Sequence, residues 1–89
     1  MGSLRFAAVL FCVYSHDHPP PHVHATYGEI EVILDLLIAG NIEVSSRSEP
    51  IKPRNAKLGE IRRILRVARM HEAELRQLWR QTHGSSHDR

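Results

Sequence analysis

Three consecutive prolines occupy positions 19 to 21, and four of the seven histidines crowd around them in the run His16-Asp17-His18-Pro19-Pro20-Pro21-His22-Val23-His24. Regular helix cannot pass through such a run. Each Pro fixes its own φ, lacks an N–H and pushes the residue before it toward an extended conformation. The chain is therefore divided by a stiff loop of polyproline II character, with separate elements on either side. Beyond Pro21 the alternation of a strand sends His22, His24 and Thr26 to one face and Val23, Ala25 and Tyr27 to the other. Two imidazoles then share a face, and His18 can approach them from the loop.

On the N-terminal side, residues 5–15 are almost continuously apolar and read as one central strand covered on both faces. The run is too short to span a bilayer. It is followed by Ser15 and the histidine loop rather than by a small-residue cleavage pattern. These features predict a cytoplasmic protein with no membrane association. The single cysteine, Cys12, has no internal disulfide partner and sits where a core residue is expected.

On the C-terminal side, residues 22–27 form the second predicted strand and Gly28 a turn. Residues 29–38 form the third, with Ile30, Val32, Leu34 and Leu36 inward and Glu29, Glu31 and Asp35 outward. Ala39-Gly40-Asn41 supplies a turn into a short fourth strand over 41–46. Pro50 and Pro53 mark 47–55 as a connector. From Lys57 to Thr82 the apolar residues Ile61, Ile64, Leu65, Ala68, Leu75, Leu78 and Trp79 recur at helical spacing. Asn55 is a reasonable N-cap and Gly84 a reasonable C-cap for that helix. The expected fold is α+β, an antiparallel three- to four-stranded sheet with one long C-terminal helix packed on it. Residues 1–83 are read as a single domain and 84–89 as a disordered tail, in keeping with the modest core that 89 residues allow.

Three constellations carry chemical interest. Neutral imidazoles bind zinc, nickel and copper, and two histidines at i, i+2 on a strand can share one ion. His22 and His24 have that spacing, and His18 and Asp17 can complete the set, so a divalent metal such as zinc is one expectation. The competing reading is structural, with imidazoles bonding backbone carbonyls beside the prolines. The second constellation adds His71, which falls on the apolar side of the helix. It is either a core histidine with a satisfied hydrogen bond or a fourth member of the cluster. The third is a stripe of Arg62, Arg66, Arg69, Arg76 and Arg80 opposite the apolar face, suited to phosphates or to an acidic partner. Glu72 is spaced to pair with Arg69 and Arg76, and no aromatics interleave to stack bases. Charge is divided along the chain, with residues 1–46 at net −4 and residues 47–89 at net +6, which favours an acidic partner for the second half. Catalysis has little support: there is no nucleophile elbow and no phosphate-binding glycine loop.

The run from Tyr14 to Ala25 resembles the hallmark of a family of small bacterial proteins catalogued as a domain of unknown function, DUF4160. Tyr27-Gly28 fits the same pattern, as does Met70-His71-Glu72-Ala73-Glu74-Leu75 followed by Trp79. The resemblance extends from the first strand to Trp79, with a longer connector before the helix than is usual. It implies a small two-gene system of toxin–antitoxin-like organisation, in which the chain is an interaction module for a protein partner encoded nearby. It also marks His18, His22, His24 and His71 as the motif positions. A metal- or ligand-binding site on the histidine–proline loop and nucleic-acid binding through the arginine face are the alternatives.

Overall fold

The computed structural model describes residues 2–83. Six strands build one antiparallel sheet: β1 (Gly2–Phe6), β2 (Val9–Val13), β3 (His22–Tyr27), β4 (Ile30–Leu36), β5 (Ile42–Val44) and β6 (Ile51–Lys52). The order is β1-β2-β3-β4-β5, with β6 also on β4. Two helices follow, α1 (Leu58–Met70) and α2 (Glu72–Thr82). The α+β class and the antiparallel sheet match expectation; the strand count and the single helix do not.

Two of the additional strands have identifiable origins. Residues 5–15 are not one strand, because the chain reverses at Ala7 and Ala8 to make a β1–β2 hairpin with Phe6 opposite Val9. Both alanines take positive φ, 50° and 68°. Two-residue hairpin turns of this kind ordinarily use Asn or Gly, so the turn carries no signal in the sequence. The connector also contributes a strand. β5 pairs with Leu34–Leu36 and β6 with Glu31–Val32, so both lie along the same edge of β4. Between them Ser45 N–H donates to Ile33 O (2.8 Å) and Ile33 N–H to Pro50 O (2.9 Å). Pro50 and Pro53 flank β6, in keeping with an edge position.

The predicted long helix breaks at His71, whose φ of −122° and ψ of 33° are not helical. Neither Gly nor Pro causes the break. His71 N–H bonds back to Ala68 O (3.1 Å), and its ring stacks on Phe6 of β1 with centroids 3.7 Å apart and planes 6° apart. A tertiary contact thus overrides local helix preference. The break lets α1 pack against β5 while α2 crosses β1, β2 and β3. The helical start is Leu58, behind Lys57, with no side-chain cap; Asn55 does not serve. Gly84 and the predicted tail lie outside the described residues.

Strand alternation sorts the side chains. Val9, Phe11, Val13, Val23, Ala25, Ile30, Val32, Leu34 and Leu36 face the helices and meet Ile61, Ile64, Val67, Ala68, Leu75 and Leu78 in one core. Each large aliphatic or aromatic side chain buried there contributes about 1.5–3 kcal/mol. The intervening residues fall on the opposite face. In register, His24 lies between Cys12 and Ile33, and His22 beside Asp35. Among the described residues no helix is long and apolar enough to cross a membrane.

Candidate metal centre

The loop between β2 and β3 is closed by two reciprocal hydrogen bonds. Asp17 N–H donates to Tyr14 O (3.0 Å), and Tyr14 N–H donates to Asp17 Oδ2 (2.9 Å). With Oδ2 held by the backbone, Oδ1 points at the strand that follows. It lies 3.3 Å from His24 Nε2 and 3.6 Å from His22 Nε2. The side chains are little exposed: 8% for Asp17, 4% for His22 and 17% for His24. Burial alone pushes the Asp17 carboxyl upward. The Tyr14 N–H, the hydrogen bond to His24 and the charges of His24 and His22 outweigh it, so the group stays ionised below its ordinary range.

One ligand atom from each of Asp17, His22 and His24 lies within 4.8 Å of the others. A tetrahedral ion with bonds of about 2.0–2.1 Å separates its ligand atoms by roughly 3.3 Å, and the two contacts to Oδ1 are close to that edge. Each ring has an acceptor on its far side, within hydrogen-bond distance for His22 and beyond it for His24. His22 Nδ1 is 2.9 Å from Pro20 O, and His24 Nδ1 is 3.9 Å from Glu31 Oε2. A proton on each Nδ1 would turn both Nε2 lone pairs toward Asp17 Oδ1. A carbonyl or carboxylate behind a ligating histidine is the usual way such rings are oriented and made more basic. The prolines place Pro20 O next to the ring, and strand spacing places Glu31 diagonally across from His24.

Other groups surround these three. The Tyr14 ring meets His24 edge-on at 5.0 Å, and Trp79 of α2 comes within 5.3 Å of His22 at the end of β3. Burial, with the neighbouring Cys12 and the acidic Glu31 and Asp17, pushes the Tyr14 hydroxyl up. Arg47, from the stretch between β5 and β6, reaches over the loop. Its Nη2 is 2.9 Å from His22 Nδ1, 3.3 Å from Pro20 O and 3.4 Å from His18 O.

The structure therefore brings together Asp17, His22 and His24 and leaves the other histidines of the motif apart. His18 is exposed and faces Arg47 through its carbonyl, not its ring. His71 lies at the α1–α2 junction, stacked on Phe6 and 3.8 Å from Glu74. The arginine stripe divides similarly. Arg69 donates from Nε and Nη2 to Ile42 O (3.1 and 2.9 Å) and reaches Glu43 Oε1 at 3.2 Å. Arg76 binds Glu72 at 2.7 Å and donates to the carbonyls of Leu37 (2.6 Å) and Asn41 (3.3 Å). Arg69 thus anchors α1 to β5, and Arg76 anchors α2 to the turn between β4 and β5. Arg62, Arg66 and Arg80 are exposed. Glu31 and Arg47 are the neighbours that sequence reasoning did not single out. Glu31 was detectable as an outward residue of the strand beside β3. Arg47 had no signal, because only the fold of the connector returns it to the loop.

No curated protein and no solved structure matches this chain. The family model described as a domain of unknown function, DUF4160, matches residues 9–80, which include the loop, all the residues of the cluster and most of both helices. The chain belongs to the DUF4160 family.

Proposed function

We propose that this domain binds one divalent first-row metal ion, with zinc as the reference case, through Asp17 Oδ1, His22 Nε2 and His24 Nε2. The observation that carries the reading is the convergence of those three little-exposed side chains, with Asp17 held by the Tyr14 N–H and His22 Nδ1 in contact with Pro20 O. Two imidazoles and a carboxylate suit zinc, iron and nickel better than magnesium or calcium. Three protein ligands leave at least one position for water or a substrate oxygen, and an ion so placed supplies a Lewis acid. The structural reading of the loop is not in competition with this one. The 2.9 Å contact between His22 Nδ1 and Pro20 O is the one that, with the proton on Nδ1, would orient His22 toward an ion.

Calorimetric titration of tag-free, chelator-treated protein with zinc tests the proposal. One ion per chain is expected, with affinity falling by more than about 100-fold in His24→Ala and Asp17→Asn, beyond the effect typical of outer partners. Undiminished zinc affinity in both variants would place the binding elsewhere and overturn it.

A second reading, the interaction module of a toxin–antitoxin-like pair, is favoured by one observation. The anchored turn between β4 and β5 holds Ile38 92% exposed, and Met70 at the end of α1 is 71% exposed. An exposed apolar side chain of this size gains burial when a partner covers it. Co-expression with the neighbouring gene product followed by size-exclusion chromatography checks it. A complex weakened by Ile38→Asp supports the reading, and separate elution counts against it.

A further inference from the structure

His22 Nδ1 has two neighbours that make opposite demands. Pro20 O, at 2.9 Å, is an acceptor and requires a proton on Nδ1. Arg47 Nη2, also at 2.9 Å, is a donor and requires a lone pair there. A neutral imidazole satisfies one of them at a time. When Arg47 donates to Nδ1, the ring proton sits on Nε2 and points toward Asp17 Oδ1, so Nε2 cannot ligate an ion. When Nδ1 carries the proton, it donates to Pro20 O and Nε2 is free to ligate.

The same guanidinium has a second place to go. Arg47 Nε and Asp35 Oδ1 face each other at 4.0 Å, and both atoms are buried without a hydrogen-bond partner among the described residues. A shift of roughly 1 Å would bring this pair to ordinary hydrogen-bond distance. Buried polar atoms left unpaired are costly, so the pair favours such a shift once His22 stops accepting from Arg47, whose Nη2 then keeps only its longer contacts to Pro20 O and His18 O. Asp35 stands opposite His22 in the β3–β4 register, which places both alternatives within reach of one side chain.

We propose that Arg47 regulates occupancy of the metal centre as a latch on His22. Without an ion, Arg47 donates to His22 Nδ1 and holds the ring in the Nε2–H form. On binding, the proton is carried on Nδ1 and donated to Pro20 O, Nε2 ligates the ion, and Arg47 moves onto Asp35. The proton count of the ring is unchanged. Arg47 is a positioning residue here, acting through His22. The inference rests on the metal reading above.

Nitrogen-15 NMR of the histidine rings at pH 8, recorded with and without zinc on the tag-free protein, tests the latch. The His22 Nε2–H form is expected in the free protein and the Nδ1–H form with zinc bound. Arg47→Met is expected to show the Nδ1–H form without zinc and to bind zinc about fivefold more tightly, the equivalent of one hydrogen bond. Asp35→Ala, which leaves the latch but removes its alternative partner, is expected to weaken zinc binding. The Nδ1–H form already present in the free wild-type protein would overturn the latch, even with zinc bound at the cluster. Zinc binding that ignores His24→Ala would remove the metal site itself, and the latch with it. The wild-type spectra decide the question even if Arg47→Met fails to fold.

Discussion

The two faces of the sheet use the same strands for opposite ends. Toward the helices, β2, β3 and β4 present Val, Phe, Ala, Ile and Leu, packed without a polar side chain in the cluster. On the other face His22, His24, Glu31 and Asp35 stand among Leu10, Cys12, Thr26 and Ile33, with Asp17 and Arg47 brought to them by the loop and the connector. The apolar groups of the first face require nothing further, although His83 Nε2 at the end of α2 is also buried without a partner among the described residues. The second carries charged and ionisable groups, and Asp35 Oδ1 and Arg47 Nε are buried there without partners among the described residues. A fold that tolerates unsatisfied groups on one side draws its stability from the other. Changes on the helix side should therefore act on folding, and changes on the open side on binding.

The largest expected effect is on the helix side. Phe11 is fully buried, and Phe11→Ala should destabilise the protein by about 3–5 kcal/mol in urea unfolding, while the molecules that remain folded bind zinc as before. A stability loss below ~1 kcal/mol would break the contrast between the faces. On the open side, Glu31→Gln removes the carboxylate charge 3.9 Å from His24 Nδ1. Zinc affinity should fall by roughly tenfold with little change in the urea midpoint of the metal-free protein. An equal loss in both would show Glu31 to be structural.

The hairpin sharpens the comparison from another direction, since its strain belongs to neither face. Ala8, at φ 68°, sits where a Cβ costs about 1–2 kcal/mol. Ala8→Gly should recover up to about 1 kcal/mol of that after the added flexibility of Gly is counted, read as a higher melting temperature. The smallest effect concerns acid. The Asp17 carboxyl titrates lower in the folded protein than in the unfolded chain, so its contribution is complete above an unfolded value near 3.9. It is lost as pH falls through the lower folded value. In metal-free protein, Asp17→Asn should remove this part of the acid-limb pH dependence and leave stability between pH 6 and 8 independent of pH to the extent that Asp17 sets it. A full acid limb in the variant would assign that limb to other carboxylates.

How much of this was legible depends on whether a feature is local. The inward set Ile30, Val32, Leu34 and Leu36 follows from alternation alone, and all four are buried. The pairing of His22 with His24 follows from the same rule, and Asp17 from its closeness in sequence. The Ala7–Ala8 turn was hidden because it lacks the residues that normally mark such a turn. The helix break at His71 was hidden because its cause is a ring on β1, more than sixty positions away in the chain. His71 is apolar-facing as the helical spacing indicates, yet it meets Phe6 and not the loop, since the helices cover the face of the sheet away from His22 and His24. Arg47 became part of the site only through β5 and β6 sharing one edge of β4. The arginine stripe was correctly spaced on the helix surface, but spacing could not tell Arg69 and Arg76, turned to backbone carbonyls, from the exposed Arg62, Arg66 and Arg80.

The most direct measurement is zinc-edge X-ray absorption on the tag-free protein carrying one equivalent of zinc. Two imidazole nitrogens and oxygen ligands at about 2.0–2.2 Å are expected, with one imidazole lost in His24→Ala. A sulfur shell near 2.3 Å, or an imidazole count that His24→Ala leaves unchanged, would contradict a centre built from Asp17, His22 and His24.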